Sequence, residues 1–282
     1  MVSQATVKGY DKEKYAQERL LIPSVDGTRI PATVIYNKSF GPSIDNPVYM
    51  YVYGAYGDGI PPEFPVFALS AIDRGFTYVI AHVRGGDELG KNWHEQGKLF
   101  NRKNSFDDFI SISQYLVDKG YVAKGNISAS GESAAGTIIG VAINERPDLY
   151  KSVSILVPFV DVLNSLMDSS LEYTMTDWSE YGNPKEDKKV FDYIRSYSPY
   201  EQIKKQKYPN IYVTGGINDA AVGYWEPAKW VSKIRDNQTN KSLILTSFRK
   251  GGHIDNGYRT VELEFAKQIA FLITTNNSEL QE

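Results

Sequence analysis

The sequence contains no cysteine. Disulfides, thiolate metal sites and cysteine nucleophiles are therefore excluded. Histidine is almost as scarce, with three in 282 residues, so any imidazole chemistry has few candidates. Neither sign of charge dominates: 31 Lys and Arg stand against 34 Asp and Glu, a net of −3. That leaves no basic footprint for nucleic acid and no run of like charge that would mark a disordered tail. No apolar stretch approaches the length that spans a bilayer. The opening "MVSQATVKGYDKEKY" lacks the charged-then-apolar order of a secretory signal. These absences predict a soluble, cytoplasmic protein with no nucleic-acid or membrane partner.

What is present is a regular alternation of strand and helix patterns. Residues 18–36 read as two strands joined by a turn at Asp26-Gly27. The runs "VYMYVYG" (48–54) and "FTYVIAHVRGG" (76–86) are β-rich and end in glycine. Residues 105–120 read as a helix with Ser105 as N-cap, early acids and a closing Gly120. There follow a strand "NISAS", a glycine turn, a helix through "AAGTIIGVAINERPD", and a strand at 152–158. A polar, aromatic stretch runs to about residue 200. Then come a strand at 210–216, a helix around "EPAKWVSKIRD", a strand at 242–248 and a last helix "TVELEFAKQIAFLI". The 41% hydrophobic content is enough to fill a real core. No repeat or linker divides the chain, so a single domain over 1–282 is expected, with a lead-in of about residues 1–17. The alternation implies an α/β fold with a mostly parallel sheet, helices on both faces and an antiparallel N-terminal hairpin at one edge. Ligands in such sheets bind beyond the carboxyl ends of the strands.

Three strand ends carry chemistry. Ser133 stands in "GESAAG" between a strand and a helix, the context of a nucleophile elbow, although Ala135 takes the place where G-x-S-x-G has its second glycine. The N–H of Ala134 at the helix start would face a developing oxyanion. The same pattern also serves as an ordinary turn before a helix. For the acid, Asp219 follows the strand at 210–216, and Asp161 follows the one before it. For the base, His82 lies within a strand pattern, His94 comes before the first long helix, and His253 follows the last strand in "RKGGHIDNG". The order Ser133, Asp219, His253 is that of the α/β-hydrolase fold. A triad of this kind forms and hydrolyses an acyl-enzyme without metal or organic cofactor.

With those residues in place, the sequence resembles the catalytic domain of the prolyl oligopeptidase family of serine peptidases, the oligopeptidase B branch in particular. The resemblance rests on "VYGAYG", "DRGFTYVIAHVRGGDELGKNWHEQGKL", "NSFDDF", "GESAAG", "NERPDLY", "VPFVDVL", "YGNP", "SYSPY" and "YWEPAKWV", in order over nearly the whole chain. It implies Ser133, Asp219 and His253 as the triad, and Tyr53 as a hydroxyl completing the oxyanion hole beside Ala134. It implies cleavage of short peptides after Arg or Lys. Asp177 would face the basic side chain, Glu63 would be a secondary acid, and Trp178 and Tyr181 would form pocket walls. There are departures: Asp177 is a methylene shorter than the usual Glu, Ser179 replaces a second acid, Pro61 replaces the partner of Glu63, and Ala221 stands where some members have arginine. The family normally carries a β-propeller that limits access to small peptides, and nothing in this sequence resembles one. A propeller lying outside the sequence would be a partner of the domain. Without it, size selection would be lost and solubility reduced. A monomer is expected. A carboxylesterase on the same fold, or a non-catalytic scaffold that keeps the fold, are the rival functions, since fold alone does not decide substrate.

Overall fold

Asp26 and Gly27 close a β-hairpin, as the sequence predicts. Gly27 has φ +84°, and the Thr28 N–H is capped by Asp26 Oδ1 at 2.9 Å. In the computed structural model, which describes residues 7, 9–61, 65–253 and 258–277, the hairpin strands are β1 (Tyr15–Pro23) and β2 (Arg29–Asn37). Six more strands follow: β3 (Val48–Val52), β4 (Thr77–Ala81), β5 (Ile127–Glu132), β6 (Tyr150–Leu156), β7 (Asn210–Gly216) and β8 (Ile244–Arg249). They form one sheet in the order β1-β2-β4-β3-β5-β6-β7-β8. β1 and β2 are antiparallel to their neighbours, and every pairing from β4 through β8 is parallel.

The helices are α1 (Leu69–Ile72), α2 (Lys91–Glu95), α3 (Lys103–Asp118), α4 (Ala135–Glu145), α5 (Val162–Met167), α6 (Thr174–Tyr181), α7 (Lys188–Arg195), α8 (Trp225–Asn237) and α9 (Tyr258–Asn276). Because strand side chains alternate between faces, β3 sends Val48, Met50 and Val52 into one core and Tyr49 into another. The first core is roofed by α3 to α8 and the second by α1 and α9. Strand order changes direction between β3 and β5, which opens a crevice at their carboxyl ends. Ser133 follows β5 at that point.

Two sequence readings are corrected. Ser105 is not an N-cap: α3 begins at Lys103, and the buried Ser105 Oγ instead donates to the Arg84 carbonyl at 2.5 Å. The β-run at 76–86 pairs as a strand only over Thr77–Ala81. Beyond it the chain leaves the sheet, and Arg84 forms a bidentate pair with buried Asp108 (2.6 and 2.8 Å) and a second contact with Asp26 (2.6 Å). This cluster ties the hairpin turn to α3, and Arg84 holds the Asp26 carboxyl down at about 2. The polar stretch before residue 200 holds three helices, α5 to α7.

Candidate active site

Ser133 has φ +51°, a conformation that side chains avoid. Such strain costs about 1–3 kcal/mol. It is offset by backbone hydrogen bonds worth about 1 kcal/mol each: Ser133 N–H to Leu156 O (2.9 Å), and Gly136 and Phe159 N–H to Ser133 O (2.8 and 2.9 Å). The glycines of "GESAAG" stand where neighbouring atoms pack too closely for a side chain. A Cβ on Gly131 would lie 2.9 Å from the Val52 carbonyl, and one on Gly136 would lie 2.8 Å from Pro158 Cα. Ala135 explains the departure from G-x-S-x-G. Its methyl is fully buried against Gly131, so a glycine at 131 leaves room for alanine at 135.

The Ala134 N–H, at the N-terminus of α4, has no hydrogen-bond partner among the described residues. The same holds for the Tyr53 hydroxyl. Tyr53 lies just past β3, two residues beyond the Tyr51↔Ser130 pair, and so beside Glu132. Burial, followed by the charges of Asp58 and Glu132, pushes its phenol up to about 12, which keeps it a proton donor at neutral pH.

The histidine at 253 meets both other residues. His253 Nε2 is 2.9 Å from Ser133 Oγ, and His253 Nδ1 is 2.8 Å from Asp219 Oδ2. The second carboxylate oxygen of buried Asp219 accepts the N–H groups of Ala221 and Val222, each at 2.9 Å. The two loops are laced together by Ile217 N–H to Arg249 O (2.8 Å), Asn218 N–H to Gly251 O (3.2 Å) and Asn218 Nδ2 to Lys250 O (2.6 Å). Arg249 Nη2 in turn donates to the His253 carbonyl at 3.1 Å. The rivals have other partners. Buried Asp161 pairs with Lys229 Nζ at 2.5 Å, His94 Nε2 with Glu180 at 2.7 Å, and His82 Nε2 with Thr33 Oγ1 at 2.9 Å. His82 lines a separate cavity of about 960 Å³ beside the hairpin.

A cavity of about 280 Å³ opens beside Ser133, with Tyr56, Phe159, Tyr173, Asp177 and Val222 among its walls. Asp177, on α6, accepts the Tyr56 hydroxyl at 3.0 Å. Burial, opposed by that hydrogen bond and aided by Glu180, pushes its carboxyl up to about 6. Trp178 and Tyr181 do not line this cavity, which corrects the sequence reading. Tyr181 lies one turn beyond Asp177 and is buried under the rings of Tyr56 and Phe159. Trp178 turns away around the helix to donate to the Leu166 carbonyl at 3.1 Å. Ser179 is exposed and bonds the Thr176 carbonyl. Glu63 lies outside the described residues. Sequence reasoning missed Tyr56 and Phe159 as walls. The one available signal was that Tyr56 shares the post-strand glycine segment "YVYGAYG" with Tyr53.

Comparisons with known proteins agree on a common ancestry. A model described as the prolyl oligopeptidase family matches residues 62–278. Dipeptidyl aminopeptidase BI of Pseudoxanthomonas mexicana is 40% identical over 275 residues, covering 96% of this chain and 38% of that protein. Protease 2 of Moraxella lacunata is 37% identical over 284 residues, or 99% of this chain and 41% of that protein. The chain thus spans well under half the length of these relatives. Among solved structures, oligopeptidase B from Leishmania major matches with a TM-score of 0.90 at 37% identity, over 96% of this chain and 38% of its own. Oligopeptidase B from Trypanosoma brucei, in a closed form with covalently bound antipain, has the same TM-score and identity over 97% and 39%. Because the family match runs unbroken from before β4 into α9, through the elbow and both loops that meet it, the chain belongs to the prolyl oligopeptidase family.

Proposed function

We propose that this domain is a serine peptidase that hydrolyses short peptides after Arg or Lys. The observation that carries the reading is the single imidazole of His253 within hydrogen-bond reach of both Ser133 Oγ and Asp219 Oδ2. Neutral His253 takes the Ser133 proton at Nε2 as Oγ attacks the scissile carbonyl carbon. Asp219 accepts from Nδ1–H and remains ionised, which holds the tautomer and stabilises the imidazolium. Charge gathers on the carbonyl oxygen, where the Ala134 N–H and the Tyr53 hydroxyl are the available donors. His253 returns the proton to the leaving amine, leaving an acyl-serine. Water, deprotonated by the same histidine, then releases the acid. Asp177 beside Ser133 supports a basic residue at the cleavage site, since a half-buried carboxylate attracts a cation more strongly than an exposed one. The similarity to oligopeptidase B and Protease 2 supports peptide hydrolysis. The triad by itself would serve an esterase equally well, and Asp177 is what favours a basic peptide.

The test is hydrolysis of an Arg amide together with labelling by a fluorophosphonate, the modified residue being identified by peptide mapping. A single adduct on Ser133 with loss of amide hydrolysis is expected. An active ester hydrolase that leaves the amide intact overturns the peptidase reading, and the absence of any adduct overturns the enzyme reading. A pH dependence follows from Asp177. Its carboxyl, raised to about 6, is neutral below that pH and charged above it. The kcat/KM ratio of an Arg amide to the isosteric citrulline amide should therefore rise by about tenfold as pH climbs through 6. The ratio cancels any pH dependence of the acylation chemistry that the two substrates share. A flat ratio from pH 5 to 8 contradicts the assignment of Asp177.

A further inference from the structure

Tyr56 has φ +59° although it carries a large side chain. A tyrosine stays in that region only where its surroundings hold it. Here the hold is specific. The Tyr56 N–H donates to Glu180 Oε1 at 2.9 Å, and the other oxygen of Glu180 pairs with His94 Nε2 at 2.7 Å. Glu180 is 2% exposed, so both oxygens are committed and little motion is left to it. The Tyr56 ring stands edge-on to Tyr181, with centroids 6.0 Å apart. Backbone and ring are thus both located, and the hydroxyl arrives 3.0 Å from Asp177 Oδ1. Asp177 needs such a partner. Its side chain is short, and its neighbour Ser179 offers no second charge.

We propose that Tyr56 is a specificity-determining residue that keeps the Asp177 carboxylate charged and aimed into the cavity beside Ser133, and that Glu180, braced by His94, is the positioning residue that sets Tyr56. The site would take the cationic end of a lysine or arginine side chain. This inference rests on the reading of Asp177 given above. The other titratable groups around Asp177 are Glu180 on its own helix, the phenols of Tyr173 and Tyr181, and His94 behind Glu180.

Two substitutions in the full 282-residue chain act on Asp177 with opposite sign. Tyr56→Phe keeps the ring and the N–H and removes only the donor, so the carboxylate loses its hydrogen bond and its proton is held more tightly. Glu180→Gln keeps an acceptor for the Tyr56 N–H and removes a nearby negative charge, so the proton is held less tightly. The readout is the pH midpoint of the Arg-to-citrulline ratio of kcat/KM. Tyr56→Phe should move it up by about one pH unit, and Glu180→Gln should move it down. Formation of the fluorophosphonate adduct on Ser133 in each variant checks that the triad is still assembled, since neither Tyr56 nor Glu180 hydrogen-bonds Ser133, Asp219 or His253. Midpoints that stay at the parent's value, or that move in the same direction, overturn the proposal. If Glu180→Gln does not fold, Tyr56→Phe decides the matter alone. A parent chain that shows no preference for Arg over citrulline at any pH refutes the underlying reading of Asp177. A parent with a midpoint near 6 and unmoved variants refutes only the role of Tyr56.

Discussion

Asp219→Asn is expected to leave the chain folded and to lower kcat/KM for an Arg amide by about four orders of magnitude. The reason lies in what Asp219 already holds. Its Oδ1 accepts two backbone N–H groups, from Ala221 and Val222, and its Oδ2 accepts from His253 Nδ1. Asparagine has one acceptor oxygen where aspartate has two. The two fixed N–H groups claim that oxygen, so the amide NH₂ is turned toward His253. The imidazole must then accept at Nδ1 and carry its proton on Nε2. A protonated Nε2 facing Ser133 Oγ donates to the hydroxyl and cannot deprotonate it. The loop hydrogen bonds are all retained, so the thermal midpoint should change little. Nδ1 and Nε2 chemical shifts of His253 would report the switched tautomer directly. An Asp219→Asn variant within tenfold of the parent would mean that the histidine is not the base.

Gly216→Ala should cost about two orders of magnitude, although residue 216 touches neither Ser133 nor substrate. Gly216 ends β7, and its missing side chain lets the backbone of the histidine loop lie directly on it. A Cβ there would come within 2.5 Å of the Gly252 carbonyl oxygen and 2.7 Å of the Gly251 carbonyl oxygen. Both obstacles are backbone, so no side chain can swing aside. The loop must lift by about 1 Å, a displacement that can lower a reaction rate about a hundredfold when it falls on a positioned catalytic group. Two attachments limit the lift, Ile217 N–H to Arg249 O and the Arg249 guanidinium on the His253 carbonyl, so global unfolding is not the expected failure. The signature is a loss in kcat, matched by slower fluorophosphonate labelling, in a chain that melts within a few degrees of the parent. If labelling by the variant matches that of the parent, the two loops are not coupled in the way the contact implies.

The sheet is largely legible in the sequence alone. The Asp26-Gly27 hairpin, the β3 and β7 runs, and the helix after "GESAAG" are each written in consecutive residues. Periodicity and turn chemistry act over a few positions, so they survive in a linear reading. The errors have a common cause. Residues 82–86 read as more strand, but Arg84 is drawn out of the sheet by Asp108 and Asp26, which lie 24 and 58 positions away. Ser105 read as a cap, but its hydroxyl answers a carbonyl 21 positions back. In each case a long-range polar partner outweighed the local pattern.

The site divides in the same way. The sequence determined that an elbow serine precedes an acid and then a histidine, each just past a strand, because chain order and strand ends are one-dimensional facts. Folding decided which acid and which histidine meet the serine. Lys229 occupies Asp161 and Glu180 occupies His94, which leaves Asp219 and His253 to come together over Ser133. Folding also chose Tyr56 and Phe159 as walls beside Asp177 and buried Tyr181 beneath them. Tyr56 meets its partners Asp177 and Glu180 across 121 and 124 positions of chain. A contact of that span depends on how every intervening element packs, and no local pattern of residues encodes it.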